Sequence, residues 1–287
     1  MLDYPQLQAL SAVHRRGSFD LAAASLGITP SAISQRIKAL EDRIGALLIQ
    51  RGQPCIATET GLRLIHHFDA VMLMEAALPL PDPAPAAVRI AVNADSLATW
   101  VIPALSACPG MLFDIVIDDQ DVSQDWLRRG EVAGAITSHP GPLQGCDTVP
   151  LGHLRYHATA SPDFVARWLA DGVTLATLTR APALTFSDKD RLQSDWLATH
   201  LGPGIAYPTH RLASSQGFVD AALAGLGWGM NPAPLVSGHL AAGRLVELIP
   251  GTPLDIALHW QFARRTAPAL EPLTRALRTA AKRVLLA

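Results

Sequence analysis

In the stretch GITPSAISQRIKALE, residues 27 to 41, apolar positions recur every three or four residues: Ile33, Ile37 and Leu40, continued by Ile44. At about 100° per residue these fall on one side of a helix, while Ser31, Ser34, Gln35 and Lys38 fall on nearly the opposite side. Thr29 suits the N-cap and Pro30 the first helical position, so the start of the helix is set locally and its free backbone N–H groups suit a phosphate. Upstream, SFDLAAASLG (18 to 27) places Phe19, Ala22, Ala23 and Leu26 on one face and ends in a turn at Gly27. With QLQALSAVHRRG (6 to 17) before it, the pattern predicts a helix-turn-helix in which Ala23 permits close helix crossing and the second helix enters a major groove. Further on, Leu62, Ile65, Phe68, Met72 and Ala76 form an apolar stripe at helical spacing. A stripe on a helix leaving a small domain needs a partner, and a second copy of the chain is the simplest one.

The pattern changes after PLPDPAPAA (79 to 87), where four alternate prolines forbid a continuing helix and mark a linker. VRIAV (88 to 92), FDIVI (113 to 117) and AGAIT (133 to 137) read as strands, as do YHATA (156 to 160), ALTF (183 to 186), HRLA (210 to 213), LVELI (245 to 249) and LHWQFA (258 to 263). Helical segments between and after them include SLATWVIPALSAC, DWLRRGEVAG and the stretches 162 to 170, 190 to 201, 215 to 225 and 268 to 286. Strand alternating with helix implies a parallel α/β sheet.

Composition leaves this picture standing. The 287 residues are 49% hydrophobic and 17% charged, as in a folded protein. A net charge of -2 gives no global basic signature, so nucleic-acid binding must come from a local surface. The three cysteines, Cys55, Cys108 and Cys146, are far apart and odd in number, which argues against a disulfide framework and for thiols in a reducing compartment. No basic segment followed by an apolar core opens the sequence, and no run of about 18 apolar residues occurs, so a cytoplasmic protein without a membrane partner is expected.

On the polar face of the second helix, Gln35 suits an adenine edge, Ser31 and Ser34 suit bases or phosphates, and Arg36 and Lys38 suit phosphate. In the second half, Asn93, Ala94, Asp95 and Ser96 lie between a strand end and a helix start, where α/β sheets bind small ligands and helix N-termini favour anions. Ser214 and Ser215 repeat that arrangement, which makes a carboxylate site plausible.

The segment GSFDLAAASLGITPSAISQRIKALEDRIGALLIQR, followed by TETG, resembles the DNA-binding part of LysR-type transcriptional regulators. The resemblance implies a winged helix-turn-helix at 1–58, with the wing around Leu48 to Thr60 and Arg51 as its only basic residue. It further implies a dimer-forming linker helix and hinge at 59–87 and a periplasmic-binding-protein-like α/β effector domain of two subdomains at 88–287. The first subdomain would be about 88–161 with 265–287 and the second about 162–264, the chain crossing near Ala160 to Ser161 and Phe262 to Arg265. AVNADSLATW, DDQ (118 to 120), LRRGEV, GLGWGM and LHWQ are similar to the subfamily that senses lysine and arginine and switches on their exporter genes. The partners implied are promoter DNA, a small-molecule effector, further copies of the chain as dimer or tetramer, and RNA polymerase; no cofactor or metal is implied.

A basic amino acid needs N–H or hydroxyl donors for its carboxylate, an acid for its ammonium, and an acid or aromatic face for its side chain. Asp95, Ser96, Trp100, Ser138, Thr185, Ser187, Asp188 and Ser215 are the candidates beside Asn93. Another small-anion effector remains open, as does a solute-binding protein of the same fold. An enzyme lacks support: there is no G-x-S-x-G, P-loop or H-E-x-x-H, GLGWG lacks dinucleotide-binding spacing, and His66 and His67 have no third ligand.

Overall fold

The computed structural model describes residues 1–78, 86–117 and 123–287. Most of the proline-rich linker, at 79–85, and the DDQ segment at 118–120 lie outside the described residues.

Helices α1 (Tyr4–Arg16), α2 (Phe19–Leu26) and α3 (Pro30–Ile44) make the helix-turn-helix. Thr29 accepts a hydrogen bond from Ala32 N at 3.2 Å, and Gly27 closes α2 in the left-handed conformation, as the local signals predict. Leu7, Leu10, Val13, Ala23, Ile33, Ile37 and Leu40 interlock as the core of this domain. Strands β1 (Ile49–Gln50) and β2 (Ile56–Ala57) pair antiparallel as the wing.

The linker helix α4 (Glu59–Ala76) is capped by Thr58, whose hydroxyl accepts from Gly61 N at 3.1 Å and donates to Leu47 O at 2.8 Å. Gly61 has to be glycine, because a Cβ there would stand 2.3 Å from Leu48 O. Much of the apolar stripe of α4 packs within the chain itself, a use that the expectation of a second copy did not include. Leu62, Ile65 and Phe68 pack into the helix-turn-helix core, while Leu73 and Ala76 join the core of the second half. One helix bridging two domains must feed both, and the large apolar side chains it leaves exposed are Met72 and Met74.

The second half begins with β3 (Ala86–Val92), α5 (Ala94–Ser96), a π-helical turn (Leu97–Val101), α6 (Ile102–Ser106), β4 (Met111–Ile117), α7 (Ser123–Arg128) and β5 (Gly134–Thr137). It continues through β6 (Cys146–Ala160), α8 (Pro162–Trp168), α9 (Leu175–Leu178), β7 (Ala183–Thr185), α10 (Leu192–His200), β8 (Thr209–Arg211) and α11 (Ser215–Leu223). Then come β9 (Gly229–Pro232), α12 (Ala233–Ala241), β10 (Val246–Glu247), β11 (Leu254–Ala263) and α13 (Ala267–Val284).

The main sheet runs β10-β6-β11-β5-β3-β4, with β9 also on β6. Among the described residues the parallel strand pairs are β3 with β4, β3 with β5 and, separately, β7 with β8. The parallel sheet expected from the strand–helix alternation is thus a mixed one, parallel at β3, β4 and β5 and antiparallel where β6, β9, β10 and β11 join. The chain leaves the first subdomain along β6 and returns along the adjacent β11, and neighbouring outgoing and returning strands run antiparallel. Their register shifts between Leu258 and His259, opposite Pro150 and Gly152. At that point Gly152 takes φ +122° and lies against Leu286 O, 2.4 Å from where a Cβ would stand. The exchange of neighbours, from β5 to β9 and β10, thus falls several residues inside the junctions near Ala160 and Phe262 that the family resemblance implies. The core gathers Trp100, Trp196, Trp228 and Trp260, all buried, and α13 packs on the first subdomain through Leu270, Leu273 and Leu277.

Candidate functional site

A cavity of about 150 Å³ lies between the two subdomains. From the first, Asn93, Ala94, Asp95 and Ser138 reach it at the carboxyl ends of β3 and β5. The second subdomain contributes Phe186, the segment Lys189 to Leu192, Asp195, Ser215, Phe218 and Asn231. Tyr156 and Ile256 come from the crossing strands.

Asp95 joins all three sources. One carboxylate oxygen accepts the Ser215 hydroxyl at 2.6 Å and the other the Tyr156 hydroxyl at 2.9 Å. Tyr156 is fully buried, and burial first, then the neighbouring Asp95 charge, pushes its phenol well above the usual tyrosine range. It therefore stays neutral and donates. Ser214 is occupied as the N-cap of α11, accepting from Gly217 N at 3.1 Å, which leaves the next hydroxyl, Ser215, to face Asp95. Asp190 accepts from Phe186 N at 2.8 Å and Leu192 N at 3.1 Å, fixing the loop that enters α10. Asp195 lies 3.4 Å from Arg191 at the cavity edge. Asn231 donates to Thr159 Oγ1 at 2.9 Å, while its buried Oδ1 receives no hydrogen bond from the described residues.

Of the sequence candidates, Asn93, Asp95, Ser138 and Ser215 are brought together here. The other five stand apart from the cavity lining. Ser96 is buried at the end of α5, Trp100 in the π-helical turn within the main core, and Thr185 in β7. The Ser187 hydroxyl accepts from Lys189 N at 3.1 Å, and Asp188 is exposed and paired with Arg211. Tyr156, Asp190, Asp195 and Asn231 escaped the sequence reading. Tyr156 carried only a strand signal, Asp190 only that of an acid before a helix, and Asn231 sits in a Gly- and Pro-bearing strand, β9, that the apolar pattern does not mark.

At the other end, Ser31, Ser34, Gln35 and Lys38 of α3 face Gln50 and Arg51 of the wing across one groove. Ser31, Gln35 and Lys38 are exposed, Ser34 half-buried. Arg36 is half-buried and lies off this groove, about 100° round the helix from Gln35. The Arg51 guanidinium sits 5.1 Å above the Phe19 ring, which aims it from the wing back across α2. Glu41 clasps the start of the wing, accepting from Leu48 N at 2.8 Å and Ile49 N at 3.4 Å. Among the described residues no cluster of His, Cys, Asp and Glu is arranged for a metal, and no helix is long and apolar enough to cross a membrane.

Residues 4–62 match the model of the bacterial regulatory helix-turn-helix proteins of the lysR family, and residues 82–285 that of the LysR substrate binding domain. The chain belongs to the LysR family. It is a DNA-binding transcriptional regulator, not an enzyme. It is 42% identical over 96% of its length, and 94% of the relative's, to the HTH-type transcriptional regulator ArgP of Pseudomonas aeruginosa. The crystal structure of ArgP from Mycobacterium tuberculosis superposes with a TM-score of 0.81 at 40% identity, covering 100% of this chain and 99% of that one. Full-length LysG from Corynebacterium glutamicum with bound effector Arg superposes with a TM-score of 0.69 at 33% identity, covering 100% of both chains. In this LysR-family chain the helix-turn-helix is joined by α4 to the two-subdomain half that holds the cavity.

Proposed function

We propose that this LysR-family regulator senses arginine or lysine in the cavity between its subdomains and controls a gene for basic amino-acid export. The observation that carries the reading is Asp95, a carboxylate on the first subdomain held by Ser215 of the second and Tyr156 of the crossing strand. A ligand ammonium placed there gains a charge-assisted hydrogen bond and touches both subdomains. Asn231 Oδ1 adds an acceptor, Ser138 adds a hydroxyl for the carboxylate, and Asp195 adds an acid for a cationic side chain. The bound arginine of the LysG structure and the names of the relatives support the same chemistry.

In this reading residues 1–58 bind DNA through Ser31, Ser34, Gln35, Lys38 and Arg51, with Arg36 on the flank. Residues 59–87 link and hinge, and 88–287 sense. The protein works in the cytoplasm as a dimer or tetramer beside RNA polymerase, and closing of the cleft on effector changes the spacing of the DNA-binding domains.

A ligand that binds only the folded state raises the melting temperature by mass action, so the test is a thermal-shift titration against the twenty amino acids. Arginine or lysine should give a selective, saturable rise that Asp95→Asn abolishes while operator affinity without effector is kept. No selective rise, or an unchanged one in Asp95→Asn, rejects the reading.

A further inference from the structure

The joint between the linker helix and the first subdomain holds a second recess. An inner cavity of about 260 Å³ includes His66, Asp69, Arg89, Asp114, Glu131 and Arg265 in its wall. It shares His66, Gly130, Val132, Ala263 and Arg265 with an outer groove of about 550 Å³. Apart from the Cys146 thiol, the ionisable lining of that groove among the described residues is basic: Arg63, His66 and His67 from α4, Arg128 and Arg129 from the end of α7, and Arg265 from the turn after β11.

Among the described residues the acids nearby are already committed, each to its own arginine. Asp69 is 2.7 Å from Arg15, Asp114 3.3 Å from Arg89 and Glu59 2.7 Å from Arg63. Glu131 pairs with Arg129 and Asp125 with Arg128. Arg265 is left over: it is exposed and has no acid in ion-pair reach among the described residues. A single guanidinium uses one or two of its five N–H donors on its acid, so the paired arginines also keep donors facing the groove.

We propose that this groove is a second ligand site, distinct from the cavity between the subdomains, for a small phosphate-bearing anion. Cations converge from three separate segments, so the ligand must present several oxygens in different directions, as a phosphate or diphosphate does and a single carboxylate does not. The groove shares no residue with the one between α3 and the wing, and it is a recess between two elements, which fits a small molecule better than a duplex. A bound anion would tie α4, the arm of the DNA-binding domain, to the sensor half through Arg63 on one side and Arg128, Arg129 and Arg265 on the other. Its effect is on the coupling between effector and DNA, since none of its contacts line the effector cavity.

The test is titration of the full chain with pyrophosphate, followed by melting temperature and calorimetry, at fixed ionic strength because exposed guanidinium contacts are screened by salt. Citrate serves as a phosphate-free polyanion, and Arg244→Gln, an exposed arginine in the second subdomain, controls for loss of charge alone. The expected result is saturable binding of pyrophosphate, weakened about tenfold, or roughly 1.4 kcal/mol, by Arg265→Gln and unchanged by Arg244→Gln. Arg128→Gln should weaken it similarly, which keeps the test alive if Arg265→Gln does not fold. Equal binding by wild type and both groove variants, equal binding of citrate, or no saturation overturns the proposal. So does displacement of pyrophosphate by a DNA duplex, which would assign the groove to the nucleic-acid backbone.

Discussion

Gln35 lies between Ser31 and Lys38 on the face of α3 that borders the wing, and its amide has the donor and acceptor that an adenine edge requires. Replacing it by Ala should cost about 1 to 3 kcal/mol at the cognate operator and little on random duplex in salt-matched binding titrations. Equal losses on both would remove its base-reading role. The polar face of α3 is legible in the sequence because side chains one turn apart share a face whatever the rest of the chain does. The cleft is legible only in part. Asp95 was marked by its place at a strand end, but Tyr156 and Ser215, which hold it, are 61 and 120 residues away. No periodicity carries information over such distances. Ser187 and Asp188 have suitable chemistry, yet the turn after β7 points them away from the cavity that their neighbours Phe186 and Lys189 line.

At the scale of elements, α4 illustrates how a correct helix acquires an unexpected use. Its amphipathic stripe and Thr58 cap are local properties, whereas the division of the stripe between two cores depends on where each domain lies. The joint to the wing is tighter still. With Leu48 O 2.3 Å from the position of a Cβ on Gly61, Gly61→Ala must push the carbonyl and the wing apart. The expected cost is about 1 to 3 kcal/mol in urea unfolding, as for other overpacked sites. A change within a few tenths of a kcal/mol would mean that the wing yields freely. The strand β9 shows the opposite limit: Gly229 and Pro232 discourage a strand locally, but the four residues are buried and pair with β6 over Tyr156 to Thr159.

Across the whole molecule, charge couples the DNA-binding domain to the sensor. His14 on α1 and His66 on α4 are both held below the ordinary imidazole value of 6.5, chiefly by burial, with Arg89 adding repulsion to each. Arg15 and Asp69 act on His14 in opposite senses, as do His14 and Glu131 on His66. His259 is lowered as well, again mainly by burial. The unfolded chain therefore binds protons below about pH 6.5 that the folded chain does not, and stability must fall as pH drops through that range. Asp69, raised above its ordinary 3.8 by burial, works in the other direction as pH falls through that raised value. Melting temperature should decline from pH 7 toward pH 5.5, and His66→Gln should make the decline shallower; an identical slope in the variant would show that His66 takes no part.

By itself the sequence determined the helices of the DNA-binding half, the Thr29 cap, the polar reading face, the turn to α/β pattern and the family, because each depends on residues close together along the chain. The tertiary structure decided which hydroxyls meet Asp95, where β6 and β11 exchange neighbours, how the α4 stripe is divided and which arginine at the linker joint lacks an acid among the described residues. Those outcomes arise where segments distant in sequence pack together, and packing geometry, unlike helical or strand period, is set by all of the packed segments at once.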